Sequence, residues 1–275
     1  MKWVVAKGHE EDYSRVLVSI IDITERKEVQ RELKDYKDHL EELVEERTKQ
    51  LEEMNEQLKS FTHSVSHDLR APLRGLRGFS RALMEDYREI LDETGKEYLE
   101  RIKGASQRME ILIDDLLEYS RLSRTDIVCD KTDVNNILEI IKDELVSDIG
   151  MKNADIFISD IPDVKGERTI LKQVLTNLLS NALKFVDEKP KIEIYSEEDN
   201  DRIRIFVEDN GIGIKEEEQE KIFKVFERLH GIESYEGTGV GLAIVKKGVE
   251  KMGGRVGVES DLGEGSRFWI ELDKA

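Results

Sequence analysis

From Thr24 to Arg70 the chain is charged, free of Gly and Pro, and punctuated by apolar residues at heptad spacing. One series runs Leu33, Leu40, Val44, Leu51, Leu58, Val65; the other runs Tyr36, Leu43, Arg47, Met54, Phe61. Steps of seven hold except from Leu40 to Val44 and from Leu43 to Arg47, where both registers step by four. The spacing predicts one long helix opened by Thr24 as N-cap, pairing as a parallel homodimeric coiled coil with a stutter that locally unwinds it. A solvated helix that happens to carry leucines is the plainer alternative, but it does not account for two registers breaking together. Helical pattern persists through Leu83 and Met84, with Pro72 expected to bend the helix. Thr94-Gly95-Lys96-Glu97 has capping-box form and predicts a second helix, with Tyr98, Ile102, Ala105, Met109, Leu112, Leu116 and Tyr119 as its apolar stripe. Two such helices make a hairpin that cannot bury both stripes alone, so two copies would form a four-helix bundle.

After Arg124 the periodicity changes. Helices are predicted over 134–146 and 169–186 and in a segment ending at Met252, with strands over 156–159, 191–196, 202–208, 255–260 and 266–272. Strands arriving as hairpins with helices between them suggest a mixed sheet covered on one face. The predicted fold class is α+β multidomain: a helical hairpin in a dimeric four-helix bundle, then an α/β sandwich. At the N-terminal end, Val16 to Ile23 reads as a buried strand with too little around it to complete a sheet.

Composition narrows the function classes. Acidic residues number 61 against 43 basic ones, a net charge of −18, which repels phosphate backbones and argues against nucleic-acid binding. The single Cys129 excludes an intrachain disulfide framework. No apolar run approaches the ~20 residues of a membrane span, so no membrane contact is expected of this segment.

Five clusters could carry chemistry. In the first, Ser66-His67-Asp68-Leu69-Arg70-Ala71-Pro72-Leu73, the register set by Phe61 and Val65 puts His67 outside the seam, facing solvent. Asp68 can accept from its Nδ1–H and leave Nε2 as a nucleophile. An exposed His beside an Asp is by itself ordinary surface. His63 and His67 have the i, i+4 spacing of a metal pair, but Ser64 stands where the zincin pattern needs Glu. In the second cluster, Asn177, Asn181 and Lys184 share one helix face opposite Leu175, Leu178 and Leu179. Amide oxygens suit Mg²⁺ and a lysine suits phosphate; the alternative is a polar solvent face, which two mid-helix asparagines serve poorly. Third, Asp209-Asn210-Gly211-Ile212-Gly213 follows a strand, as a turn or as a place where a carboxylate reads an exocyclic amine. Fourth, Phe223 and Phe226 lie in a charged segment that they could pin to the core. Fifth, Gly237-Thr238-Gly239-Val240-Gly241 opens a helix and offers free amides to an anion, without matching a dinucleotide fingerprint or a Walker loop. Gly263-Glu264-Gly265-Ser266 reads as a hairpin turn.

In this order and spacing the five clusters resemble the H, N, G1, F and G2 boxes of sensor histidine kinases of two-component signalling, over about residues 55–275. The stretch from Val18 to Lys27 resembles the end of a PAS sensor domain running into a signalling helix. The resemblance implies four regions: a PAS remnant at 1–24, a coiled-coil signalling helix at 25–60, a dimerisation and histidine-phosphotransfer domain at 61–125, and a catalytic ATP-binding domain of the Bergerat (GHKL) fold at 130–275. It implies that His67 is the phosphoacceptor and Asp68 the base that orients it. Asn181 would hold Mg²⁺, with Asn177 and Lys184 near the phosphates of ATP and Phe185 against the base or ribose. Asp209 would read the adenine amine, Gly211 and Gly213 would make room for the ring, and Gly237, Thr238, Gly239 and Gly241 would bind phosphates under a lid over about 214–236. The implied partners are a second copy of the chain, the receiver domain of a separate response regulator, and an upstream sensor domain. The implied setting is cytoplasmic, either free or as part of a larger membrane-anchored sensor.

One departure stands out: Ala71, four residues after His67, replaces the Thr or Asn that in many such kinases places a water for dephosphorylating the partner. Phosphatase activity is therefore expected to be weak or absent. Two rivals remain at this point, a nucleotide-gated switch of the gyrase and Hsp90 type and a binding-only pseudokinase. Acid-labile label transferred from ATP to His67 separates them from a kinase.

Overall fold

The computed structural model describes residues 24–122, 127–186, 188–227 and 237–275, excepting the side chains of 51, 52, 55–63 and 67. The strand expected at Val16 to Ile23 and the PAS-like segment up to residue 23 lie outside the described residues. So do the later part of the expected lid, the His63/His67 pair of side chains and the exposure of His67. Packing divides the chain into two units, residues 1–60 and 61–275.

Helix α1 runs unbroken from Thr24 to Asp86 and contains Pro72 without ending there. Over its first unit Leu33, Tyr36, Leu40, Leu43, Val44 and Met54 are all exposed, so these stripe positions have no covering partner among the described residues. Helix α2, Glu93–Leu122, completes the hairpin of the second unit. Its start corrects the capping expectation. Asp92, not Thr94, caps the helix: its carboxylate accepts from the Gly95 N–H at 2.7 Å. Asp92 is itself a preferred cap residue three positions before Gly95, and it wins because the turn at 87–92 delivers it there.

Within the hairpin the buried seam is one position off the expected register. Ser66, Leu73 and Ser80 are buried at heptad spacing, facing Ser106, Ile113 and Leu117. The Ser80 and Ser106 hydroxyls are satisfied by the carbonyls of Leu76 and Ile102. Arg70–Asp114 and Arg77–Glu110 ion pairs, each 2.5 Å, cross between the two helices. Of the predicted stripes, Val65 of α1 and Tyr98, Ile102 and Met109 of α2 are left exposed, as are Leu69, Leu76, Phe79 and Leu83 of α1.

The α/β part follows. Strand β1 (Asp130–Thr132) pairs antiparallel with β3 (Val164–Gly166), a small sheet whose three-residue strands carry no periodicity to read. The expected 134–146 helix divides into α3 (Val134–Glu144), capped by Asp133, and α4 (Val146–Lys152). Then come β2 (Asp155–Ile158), α5 (Arg168–Lys184), β4 (Lys191–Asp199), β5 (Arg202–Asp209), α6 (Glu216–Gln219), α7 (Gly241–Lys251), β6 (Arg255–Asp261) and β7 (Gly265–Asp273). The main sheet has the order β2-β4-β5-β7-β6, parallel only between β2 and β4, as expected of a mixed sheet.

Alternation decides the faces. Ile192, Ile194, Ile203, Ile205, Val207, Phe268, Ile270 and Leu272 turn inward against Ile137, Leu138 and Ile141 of α3, Leu171, Leu175, Leu178 and Leu179 of α5, and Ile244, Val245 and Val249 of α7. The opposite face is closed by its own side chains. Tyr195 stacks on Phe206, Arg267 lies over Phe206, and Arg204 lies over Trp269 while pairing with Glu271. The second helix of the hairpin joins this body: Leu112, Tyr119 and Leu122 pack against the same core, and Lys251 Nζ donates to the Leu122 carbonyl at 2.7 Å.

Candidate nucleotide and phosphoryl-transfer site

Three segments converge beside α5: its own polar face, the turn after β5, and the glycine run that opens α7. Burial of Leu175, Leu178 and Leu179 turns Asn177, Asn181 and Lys184 to the other side of α5, half-exposed. That face meets the glycine run. A Cβ on Gly237 would lie 2.8 Å from Lys184 Nζ, and one on Gly241 2.8 Å from Asn177 Oδ1. The glycine run and the polar face of α5 thus lie in close contact.

Asn177 Nδ2 donates to the Gln173 carbonyl at 3.0 Å, which leaves its oxygen directed away from its own helix. Lys184 Nζ lies 5.1 Å from the centre of the Phe185 ring. The Asn181 side chain makes no hydrogen bond with a described residue. Helix α7 begins at Gly241 with Val240 in the cap position and no side-chain cap, so its first-turn amides remain available to an anion. Gly239 has φ +72°, a turn conformation that aims the following amides along the new helix.

The β5 turn is stitched to the end of α5. Ile212 N–H donates to the Phe185 carbonyl at 3.0 Å, and Gly211 N–H donates to Asp209 Oδ1 at 2.8 Å. Side chains at Gly211 would strike both acceptors, at 2.5 and 2.6 Å. Gly213, at φ +70°, leaves space for the Asp261 carbonyl, a requirement of the fold itself. Burial pushes the Asp209 carboxyl up to about 6, against the lowering effect of the Gly211 and Ser266 amides. A carboxylate this poorly solvated is set to accept from a ligand donor.

The two phenylalanines separate in role. Phe223 packs against the core, as expected of a pin, while Phe226 is 56% exposed with φ +66°. The backbone N–H of Phe226 donates to the Gly239 carbonyl at 2.9 Å, tying the charged segment to the glycine run. Asp68 and Ala71 are both exposed on α1. One contact had no sequence signal at all: Thr238 Oγ1 donates to Asp115 Oδ2 of α2 at 2.5 Å, across 123 residues.

Comparisons with known proteins agree with this layout. The model of the His Kinase A (phospho-acceptor) domain matches residues 57–125, and that of the histidine kinase-, DNA gyrase B-, and HSP90-like ATPase matches 166–275, together well over half of the chain. Cyanobacterial phytochrome B of Nostoc sp. is 44% identical over 227 residues, which is 81% of this chain and 30% of that protein. The crystal structure of full-length ShkA in complex with AMPPNP superposes with a TM-score of 0.60 at 27% identity, covering 78% of this chain and 46% of that one. The histidine kinase ThkA in complex with response regulator protein TrrA gives 0.56 at 25% identity, covering 94% and 69%. The chain belongs to the sensor histidine kinases. It spans about 30% of the length of the curated relative it matches. No helix among the described residues is long and apolar enough to cross a membrane.

Proposed function

We propose that the chain is the kinase core of a two-component sensor, transferring the terminal phosphoryl group of ATP to His67 and thence to an aspartate on a separate response regulator. The observation that carries this reading is the convergence of Asn177 Oδ1 and Lys184 Nζ on the Gly237–Gly241 run, ahead of an uncapped helix start. Phosphoryl transfer asks for positioning and charge neutralisation, and this arrangement offers both.

The roles follow residue by residue. Asp209 reads the adenine amine, Phe185 lies against the base or ribose, and Gly211 and Gly213 allow the turn beneath the ring. Lys184 and Asn177 meet the phosphates, with Thr238 and the backbone of Gly237, Gly239 and Gly241. The Asn181 amide, half-exposed and without a described partner, fits a single hard-oxygen ligand to Mg²⁺. Among the described residues no three His, Cys, Asp or Glu converge, so such an ion would rely on phosphates and waters for its remaining ligands. When bound it would neutralise charge on the phosphates.

On α1, His67 Nε2 bonds the γ-phosphorus as the bond to the bridging oxygen breaks and ADP departs; Asp68 stabilises the charge gained at Nδ1–H. The exposed stripes on α1 and α2 support a homodimer in which a second copy covers them. A PAS-type sensor domain upstream would supply the signal. Ala71 offers no hydrogen-bonding group to a hydrolytic water, so phosphatase activity is weak or absent; a robust rate towards the phosphorylated regulator overturns that part.

Incubation with γ-labelled ATP should give acid-labile, base-stable label on the wild-type chain and none on His67→Gln. ATP hydrolysis without label would assign the chain to the nucleotide-switch class instead, and binding without either would make it a pseudokinase.

A further inference from the structure

Thr238 stands between the two glycines that lead into α7, yet its hydroxyl is turned to the hairpin, where it donates to Asp115 at 2.5 Å. The same oxygen is 3.4 Å from the Val240 N–H, so the hydroxyl links the carboxylate of α2 to the backbone of the glycine run. Asp115 is half-buried, with Asp114 and Glu118 on the same stretch of α2. Asp114 is engaged by Arg70, whereas the Asp115 hydrogen bond goes to Thr238. Burial raises the Asp115 carboxyl, the Thr238 hydroxyl lowers it, and the Asp114 charge raises it again. Lys184 approaches the same run at Gly237. The glycine run thus touches both a cation on α5 and, through Thr238, an anion on α2.

We infer that Asp115 is a positioning residue for nucleotide binding: through Thr238 it holds the glycine run against α2, in opposition to the seating of phosphates there. This rests on the reading of the run as a phosphate site. Two physical terms work in the same direction. A Thr238 hydroxyl given to Asp115 is not free to contact an anion, and a carboxylate one hydrogen bond from the site repels a polyphosphate in a half-buried environment. Because coupling between two binding events is reciprocal, phosphates that seat on the run must weaken its attachment to α2 by the same factor. Release of the ATP-binding half from the hairpin is then linked to loading, and adenosine, which has no phosphate, does not drive it.

The test is equilibrium binding of MgATP and of adenosine by calorimetry to the whole chain and to Asp115→Asn, with Asp115→Ala as a second variant. Asp115→Asn should tighten MgATP by about tenfold, within the usual range for such couplings, and leave adenosine unchanged. Since the hydrogen-bond part of the effect runs through Thr238, the gain should shrink when Asp115→Asn is made in a Thr238→Val background. Unchanged or weaker MgATP binding in Asp115→Asn and Asp115→Ala overturns the proposal. So does equal tightening of adenosine, or a gain undiminished by Thr238→Val. Failure of the wild-type chain to bind MgATP at all would instead overturn the phosphate-site reading, and this inference with it.

Discussion

Leu179 and Ile194 have no solvent exposure, yet Phe79, no less apolar, is 75% exposed on α1. The two regions solve the same problem differently. The α/β part folds helices and a sheet around one core and closes the outer sheet face with stacked arginines and aromatics. The hairpin buries only the line through Ser66, Leu73 and Ser80 between its own helices, and gives Leu112, Tyr119 and Leu122 of α2 to the α/β core. A helix pair buries a narrow stripe on each member, so apolar residues outside it wait for another helix. The contrast teaches that the α/β part, joined by one face of α2, completes its own core, while the hairpin leaves apolar surface uncovered within one chain's described residues.

The most drastic way to break this contrast is on the hairpin. Leu76→Asp with Phe79→Asp should convert a dimer to a monomer in sedimentation while the α/β part keeps its melting transition. A monomeric wild type, or loss of that transition in the variant, would erase the distinction between the halves. Next in size, Leu179→Ala should cost about 2–5 kcal/mol of stability in the α/β part, read by denaturant unfolding, because the cavity lies where nothing can collapse into it.

A smaller effect separates site from scaffold. Asp209 is pushed up to about 6 from 3.8, so its contribution to stability is fully present below about pH 4 and is lost as pH rises through about 6. Asp209→Asn should therefore be more stable than the wild type at pH 7.5, by about 2 kcal/mol, with the difference shrinking towards pH 4. The same variant should lose ATP binding, because its amide offers a donor where the adenine amine needs an acceptor. A variant less stable than the wild type at pH 7.5 would contradict the cost assigned to that carboxylate. The smallest effect is at the hairpin turn: Asp92→Ala should cost about 1 kcal/mol, while Thr94→Ala costs less, a difference measurable by thermal melting.

Much of the site was legible before the fold. Asn177 and Lys184 could be put on one face because Leu175, Leu178 and Leu179 had to take the other, and helical spacing allows no further choice. Asp209 was marked by its place after a strand and before glycines. Other readings failed for identifiable reasons. Thr94 has the form of a cap, but Asp92 has it as well, and only the path of the turn chooses between them. The line through Val65 is left exposed, whereas its neighbour Ser66 is buried with Leu73 and Ser80, and which of two adjacent lines faces α2 depends on how the helices pack.

What the amino-acid order determined alone is local: helix lengths, strand alternation, the polar face of α5 and the chemistry of the glycine run all follow from periods of a few residues. What only the tertiary structure decided is which of these distant pieces touch. Lys184 meeting Gly237, and Asp115 taking the hydroxyl of Thr238 across 123 residues, depend on how α2, α5 and α7 pack, and packing is a property of the whole core that no short window contains.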